Sequence, residues 1–358
     1  MYEGILRAED FADAARSRLD PVIWDYIAGG AGAELTIAGN RAAFDEIRIA
    51  PRVLVGVADG DTRAALLGGG LPAPIGIAPT AYQKIVHTDG EVAMAAGAAG
   101  HLNVVSFFAS SGIEEIAAAA TGPLWLQLYW LRRRDVLERM AHRAEAAGYS
   151  ALMLTADAPR IGRRLRDERN AFAIPDEIRA VNVDAAITAS AHDRRPGASA
   201  IAVQADQSFD TGITWDDLAW LRGLTSLPLV IKGVLTAHDA RLAVEHGAAG
   251  IVVSNHGGRQ VDGAVATIHA LPGIVDAVAG RATVLLDGGV RSGRDVFIAL
   301  ALGADGVLLG RPPLWALATG GTRAVAHLMR MLDGELAHLM ALAGRSKIGD
   351  IAADALVR

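Results

Sequence analysis

The 358-residue chain has no cysteine, which removes disulfide frameworks, thiolate metal sites, iron–sulfur clusters and cysteine nucleophiles together. It has no excess of positive charge: 34 Lys and Arg stand against 40 Asp and Glu, a formal charge of -6. No global field therefore gathers nucleic acid or an anionic membrane. No uncharged apolar stretch approaches the ~18 residues that span a bilayer. The opening MYEGILRAED is charged within ten residues and lacks the apolar core and small-residue cleavage site of a signal peptide. Missing too are a strand followed by G-x-G-x-x-G, a GxxxxGK[ST] loop and, among the ten histidines, an HExxH pair. These absences exclude a Rossmann dinucleotide site, a P-loop and a zinc-protease centre. Together they predict a soluble, cytoplasmic protein that works on a small molecule, without nucleic-acid or membrane partners.

What the chain does have is 51% hydrophobic residues, enough for a large core. Short apolar runs recur from residue 74: PIGIAPTA (74–81), NVVSFF (103–108), LWLQLY (124–129), ALMLTAD (151–157), LPLVIKG (227–233), GIVVSNHGG (250–258), TVLLDGG (283–289) and GVLLGRP (306–312). Apolarity that is continuous rather than alternating marks strands buried on both faces, as in a parallel sheet covered by helices. Between the runs lie Ala- and Leu-rich segments. Thr88 with Glu91, Ser111 with Glu114, Thr236 with Asp239 and Ser292 with Asp295 have capping-box spacing or its aspartate variant, and predict helix starts.

Eight strand–helix units specify an α/β fold of the (β/α)8, or TIM, barrel type. An open doubly wound sheet is the alternative architecture. The expected organisation is one domain over 1–358: an N-terminal helical cap over 1–70, the barrel over 71–312, a long lid-like insertion over 158–226, and C-terminal helices over 313–358. Residues 180–212 show no clear period.

A parallel barrel carries its active site at the C-terminal ends of the strands. Thr80, Ala81, Ser106, Phe108, Gln127, Tyr129, Thr155, Asp157, Lys232, Ser254, His256, Arg259, Asp287, Arg291, Gly310 and Arg311 all fall there. The Gly-Arg clusters DGGVRSG and LLGRP close the last two strands, where many barrels hold a phosphate on backbone amides and arginine. Glycines alone would signify only tight turns. Lys232 ends an apolar strand and is either a surface residue or a cation turned into the site, where a flavin or a Schiff base would use it. His256 follows a strand directly and, with Asp157, has the makings of a general base and its orienting carboxylate. Arg164 and Arg259 could clamp a carboxylate, although Arg163, Arg164, Arg166 and Arg169 cannot all face the site.

The runs SNHGGRQVDG and DGGVRSGRDVFIALALGADGVLLGRP resemble the signature of the FMN-dependent 2-hydroxy-acid oxidases and dehydrogenases. The likeness extends from Tyr26 through PTAYQK, WLQLYW, LTADAPRIGRRLRDERN and IKGVL. It implies FMN as cofactor, contacted by Pro79, Thr80, Ala81, Ser106, Gln127, Thr155 and Lys232, with Ser254, Asp287, Gly289, Arg291, Gly310 and Arg311 along the ribityl chain and phosphate. It also implies that His256 removes a substrate proton, that Asp157 supports the imidazolium, and that Tyr26, Arg164 and Arg259 anchor a substrate carboxylate. Tyr129 and Phe108 would border the substrate.

Within the family, WLQLYWLR, PTAYQKIVH, GRRLRDERNAF and PLWALATGG are most similar to the 4-hydroxymandelate-oxidising branch. Phe108 stands where glycolate oxidases carry tryptophan. With Tyr82 and Ile161 nearby, it points to an aromatic 2-hydroxy acid, and Ala81 points to dioxygen as acceptor. The resemblance further implies a homotetramer. Competing readings are an aliphatic 2-hydroxy-acid oxidase, a quinone-linked dehydrogenase and a catalytically silent flavin-binding protein.

Overall fold

In the computed structural model, which describes residues 4–357, every one of the apolar runs contains a strand. They are β1 (Ile75–Ile77), β2 (Leu102–Val105), β3 (Leu124–Leu128), β4 (Ala151–Thr155), β5 (Leu229–Val234), β6 (Gly250–Val253), β7 (Thr283–Leu286) and β8 (Gly306–Leu309). Each pairs in parallel with the next. β8 returns to β1, with Val307 opposite Ile75 and Leu309 opposite Ile77, so the barrel closes and the open sheet is excluded.

Two apolar faces explain the unbroken runs. Val104, Trp125, Met153, Val230, Val252, Leu285 and Leu308 form the cluster inside the barrel. The alternating Leu126, Leu154, Ile231, Ile251 and Leu309 pack outward with the helices. Each such side chain contributes ~1.5–3 kcal/mol on burial. One irregularity bears on the site: the β5–β6 register shifts between Lys232 and Val234. Gly233 sits in that bulge at φ +108, a conformation that glycine adopts without penalty.

The N-terminal reading needs correction. Helices α1 (Ala8–Arg16), α2 (Pro21–Ala28) and α3 (Leu35–Glu46) are present, but helix ends at Glu46 rather than near 70. An antiparallel hairpin, Ala64–Leu66 with Gly69–Leu71, follows. It turns at Leu67 and Gly68, both at positive φ, the left-handed geometry of tight hairpins. Its Leu66 and Leu71 join the barrel's interior cluster and plug its floor. Helix likewise stops short at the C-terminus. The helix Arg311–Leu342 kinks at Gly320 and Gly321, and the chain then runs through turns to Leu356–Val357, which pairs with Arg48–Ile49.

Two of the four expected caps form: Thr236 accepts from the Asp239 amide and Ser292 from that of Asp295. Thr88 and Ser111 do not cap. Their neighbouring helices begin after Asp89 and Gly112 with no side-chain cap. Glu91 is instead buried, accepting from the backbone amides of Gln83 and Ser110.

The insertion after β4 carries Leu165–Arg169, Ala185–Thr188, Ala200–Ser208 and Leu218–Gly223 as short helices. Two of them lie in the stretch 180–212 that shows no period in the sequence. It is packed, with Ala191, Ala205 and Phe209 buried and Leu131 bridged to Phe209. No helix among the described residues is long and apolar enough to cross a membrane.

Candidate active site

One cavity opens at the C-terminal end of the barrel. Of the cofactor, substrate and catalytic residues that the resemblance implies, all but Gln127, Thr155, Asp157 and Ser254 line it. Those four stand directly behind the lining. Gln127 donates to Thr155 Oγ1 at 3.0 Å and accepts from the Ser106 hydroxyl and the Phe107 amide. Ser254 Oγ accepts from Lys232 Nζ at 2.9 Å and from the His256 amide at 3.0 Å.

His256 is held at φ 57, an uncommon conformation for a residue with a side chain. Its Nδ1–H donates to Asp157 Oδ1 at 3.0 Å. Nε2 has no partner among the described residues and is the free basic nitrogen. Burial lowers the imidazole below its ordinary 6.5, outweighing the Asp157 carboxylate, with Lys232 pushing the same way as burial. Burial opposes the Asp157 charge too, but His256 and Lys232 hold its carboxyl below the usual range. Gln260 fixes the backbone behind this pair, donating to the carbonyls of Asp157 and Arg160.

Lys232 is turned inward from β5 and is fully charged. Burial alone would depress it, but Asp287 at 3.2 Å and Asp157 raise it above its ordinary value. Of the two readings of this lysine, the surface one is therefore excluded.

The cavity arginines are buried and crowd one another. Arg259 and Arg291 are each pushed down to about 10, by burial first and then by Arg164 for Arg259 and Arg41 for Arg291. Arg311 is likewise held well below its ordinary value, by burial and then Arg259. Among the described residues, none of the three pairs with a carboxylate. Arg259 donates to the carbonyls of Tyr26 and Gly29, and Arg311 to those of Ile27, Gly29 and Gly257. Both thus sit at the negative C-terminal end of α2. Arg291 reaches only its neighbour's carbonyl and the Trp315 ring. Arg164, buried, comes no nearer than 3.9 Å to Asp167, and its Nε is unpartnered.

Such uncompensated cations are costly in the absence of an anion. Gly288, Gly289 and Gly310 line the cavity beside them with bare backbone; the first two, at φ +87 and +99, put the missing Cβ against Asn40, and space is open at Gly310. The buried Asp287 Oδ1 has no partner either. A phosphate held by the arginines and hydroxyl donors held by the aspartate fit these unpartnered groups.

Arg163, Arg166 and Arg169 face elsewhere: Arg163 pairs with Glu168, Arg166 with Asp25 and Glu34, and Arg169 is exposed. Sequence reading missed one wall of the cavity. Ile201, Gln204, Ala205 and Phe209 line it from the insertion. Their spacing is that of one helix face, a signal hidden among neighbouring polar residues. Phe209 stacks on Tyr129 at 4.8 Å and on Phe108 at 6.2 Å, and Phe108 on Tyr82 at 6.2 Å.

A barrel mouth with more guanidiniums than carboxylates to balance them defines an enzyme built around an anionic, phosphate-bearing cofactor. Comparison with known proteins specifies which. The model of the FMN-dependent dehydrogenase family matches residues 15–358. An L-lactate oxidase of Nostoc sp. (strain PCC 7120 / SAG 25.82 / UTEX 2576) is 45% identical over 348 residues, 96% of this chain and 95% of that protein. A 4-hydroxymandelate oxidase of Amycolatopsis orientalis is 45% identical over 342 residues, 95% of each. A crystal structure of mandelate oxidase with (S)-4-hydroxymandelic acid superposes with a TM-score of 0.94 at 44% identity, covering 98% of both chains. The chain belongs to the FMN-dependent dehydrogenase family, and its cofactor is FMN.

Proposed function

We propose that this enzyme oxidises an aromatic L-2-hydroxy acid of the mandelate type. It is an FMN-dependent 2-hydroxy-acid oxidase: the substrate and dioxygen give the 2-oxo acid and hydrogen peroxide. The observation that carries the aromatic assignment is the stacked wall of Tyr82, Phe108, Tyr129 and Phe209, continued by Ile161, Ile201 and Ala205 along the same cavity. Flat aromatic faces and aliphatic side chains favour a planar apolar group over a methyl group or hydrogen.

Arg291 and Arg311 would hold the FMN phosphate. Asp287, Gly289, Gly310 and Ser254 would serve the ribityl chain. Pro79, Thr80, Ala81, Ser106, Gln127, Thr155 and Lys232 would surround the ring. FMN, when bound, supplies the acceptor for the two electrons that leave the substrate, and the Lys232 charge favours the added negative charge.

The chain's own residues then divide the remaining work. Arg164 and Arg259 bind the substrate carboxylate, with Tyr26 beside Arg259, whose guanidinium lies 5.2 Å from that ring. Tyr129 faces the substrate hydroxyl. Burial raises its phenol to about 12, so it stays protonated and donates. His256 Nε2 takes the substrate proton, and Asp157 stabilises the imidazolium through Nδ1. The packed insertion covers the cavity and limits water.

Anaerobic flavin absorbance of the holoenzyme, with L-mandelate, 4-hydroxymandelate and L-lactate added in turn and then air, tests the reading. Fast bleaching by the mandelates, slow bleaching by lactate and recovery in air are expected. Faster bleaching by lactate overturns the aromatic assignment.

A further inference from the structure

Resting on the aromatic reading of this cavity, we propose that Gln204 and Tyr82 form a polar subsite for a hydroxyl carried on the substrate's ring. They make the pocket specific for para-hydroxylated over unsubstituted aromatic 2-hydroxy acids.

Gln204 and Tyr82 both line the cavity and are buried, 2% and 1% exposed. Neither touches the charged groups that serve the carboxylate or the reacting carbon. The Tyr82 hydroxyl donates to Gln204 Oε1 at 3.3 Å, a long contact that leaves capacity on both sides. The phenol oxygen still has its lone pairs, and the Gln204 amide nitrogen has no hydrogen-bond partner among the described residues. An amide with an unused donor next to a phenol with unused acceptor capacity can both give to and take from one added hydroxyl. The side chains packed beside the pair in the cavity are apolar. Tyr82 stacks on Phe108, Ile201 and Ala205 lie on the same helix face as Gln204, and Phe209 ends that helix.

A purely structural role for the pair explains this arrangement poorly. Buried polar groups in an apolar lining cost free energy unless they are satisfied, and the helix Ala200–Ser208 already has a separate anchor. That anchor is the Leu131–Phe209 bridge, with the Arg132 and Asp210 amides donating to the carbonyls of Ser208 and Trp130. Tyr82 itself is held at φ 54, an outlier for a bulky residue. The Phe108 carbonyl accepts from the Tyr82 amide at 3.1 Å, tying the two walls together. His256, at φ 57, is the other cavity side chain held this way, so the fold sustains the same backbone strain to aim this phenol as to aim the base.

The test compares L-mandelate with L-4-hydroxymandelate as reductants of the FMN-loaded enzyme. Alongside it, the dissociation constants of the two corresponding 2-oxo acids are read from perturbation of the oxidised flavin spectrum. The wild-type enzyme should favour the para-hydroxy compound by about tenfold or more in kcat/KM and bind its 2-oxo acid correspondingly tighter. In Gln204→Leu and in Tyr82→Phe, which keeps the stacked ring, both preferences should shrink by about tenfold. If Gln204→Leu does not fold, Tyr82→Phe alone decides. Equal use of the two mandelates by the wild-type enzyme, or preferences unchanged in Tyr82→Phe, overturns the subsite and leaves the aromatic reading intact. Failure of both mandelates while lactate bleaches the flavin overturns the aromatic reading itself, and the subsite with it.

Discussion

Gly233 lies so close to Asp157 that a Cβ added at 233 would fall 2.5 Å from the aspartate's Cβ and 2.7 Å from its Cγ. The bulge in β5, which follows the inward-facing Lys232, thus clears the space in which Asp157 reaches His256. Gly233→Ala must move Asp157 and also strain a φ of +108. A displacement of ~1 Å at a catalytic group costs on the order of 10²-fold. That loss in the rate of anaerobic flavin reduction is expected, with a lowered urea midpoint for the holoenzyme. An unchanged reduction rate would show that the bulge does not set the aspartate.

His256→Ala should keep its yellow colour, since no phosphate-site arginine depends on the imidazole, and should lose ~10²-fold or more in reduction rate. Stopped-flow absorbance measures both at once.

The pH dependence follows from the sign of the His256 shift. Its pKa lies below the ordinary 6.5 in the folded protein, so at neutral pH the base is unprotonated and ready. Activity should hold through neutrality and fall only as pH drops below 6.5. For stability, the unfolded chain binds more protons than the folded one between that lowered value and 6.5. The histidine's contribution is therefore present above 6.5 and lost as pH falls. Asp157→Asn removes the carboxylate that raises the imidazole, so the acid limb of kcat/KM should move to lower pH while the plateau drops. A limb moving upward would contradict the pairing.

Arg164→Met should raise KM for the 2-hydroxy acid, with a loss of ~2–4 kcal/mol in carboxylate recognition. Arg163, exposed and paired to Glu168, cannot substitute for it. Steady-state oxygen consumption gives the answer, and an unchanged kcat/KM would remove Arg164 from the substrate site.

Much of this site was legible from the chain because a parallel barrel converts sequence position into spatial position. Whatever follows an apolar run lands at the mouth, so Thr80, Lys232, His256 and Arg311 meet there although more than 200 residues separate the first from the last. The insertion obeys no such rule. Gln204 lies in a helix, closed by Phe209, whose residues Asp206, Gln207 and Ser208 are polar, and only the packing of Phe209 on Phe108 and Tyr129 shows which face matters. Caps failed for a related reason. Thr88 and Glu91 have the right spacing, but the burial of Glu91 beneath Ser110 outweighs the local rule.

The grip of α2 on Arg259 and Arg311 sets an order of events. The carbonyls of residues 26–29 wait for partners that follow them by as many as 284 positions. A nascent chain can fold its first helices early, yet it cannot assemble the anion site until residue 311 has left the ribosome. Loop closure over that separation is slow relative to local structure. The anion site is therefore complete only once the strand before Arg311 has closed the barrel, and FMN binding should follow that step. Bound there, an FMN phosphate would supply the anion that the crowded guanidiniums need, so the FMN-loaded protein should resist unfolding better than the cofactor-free one.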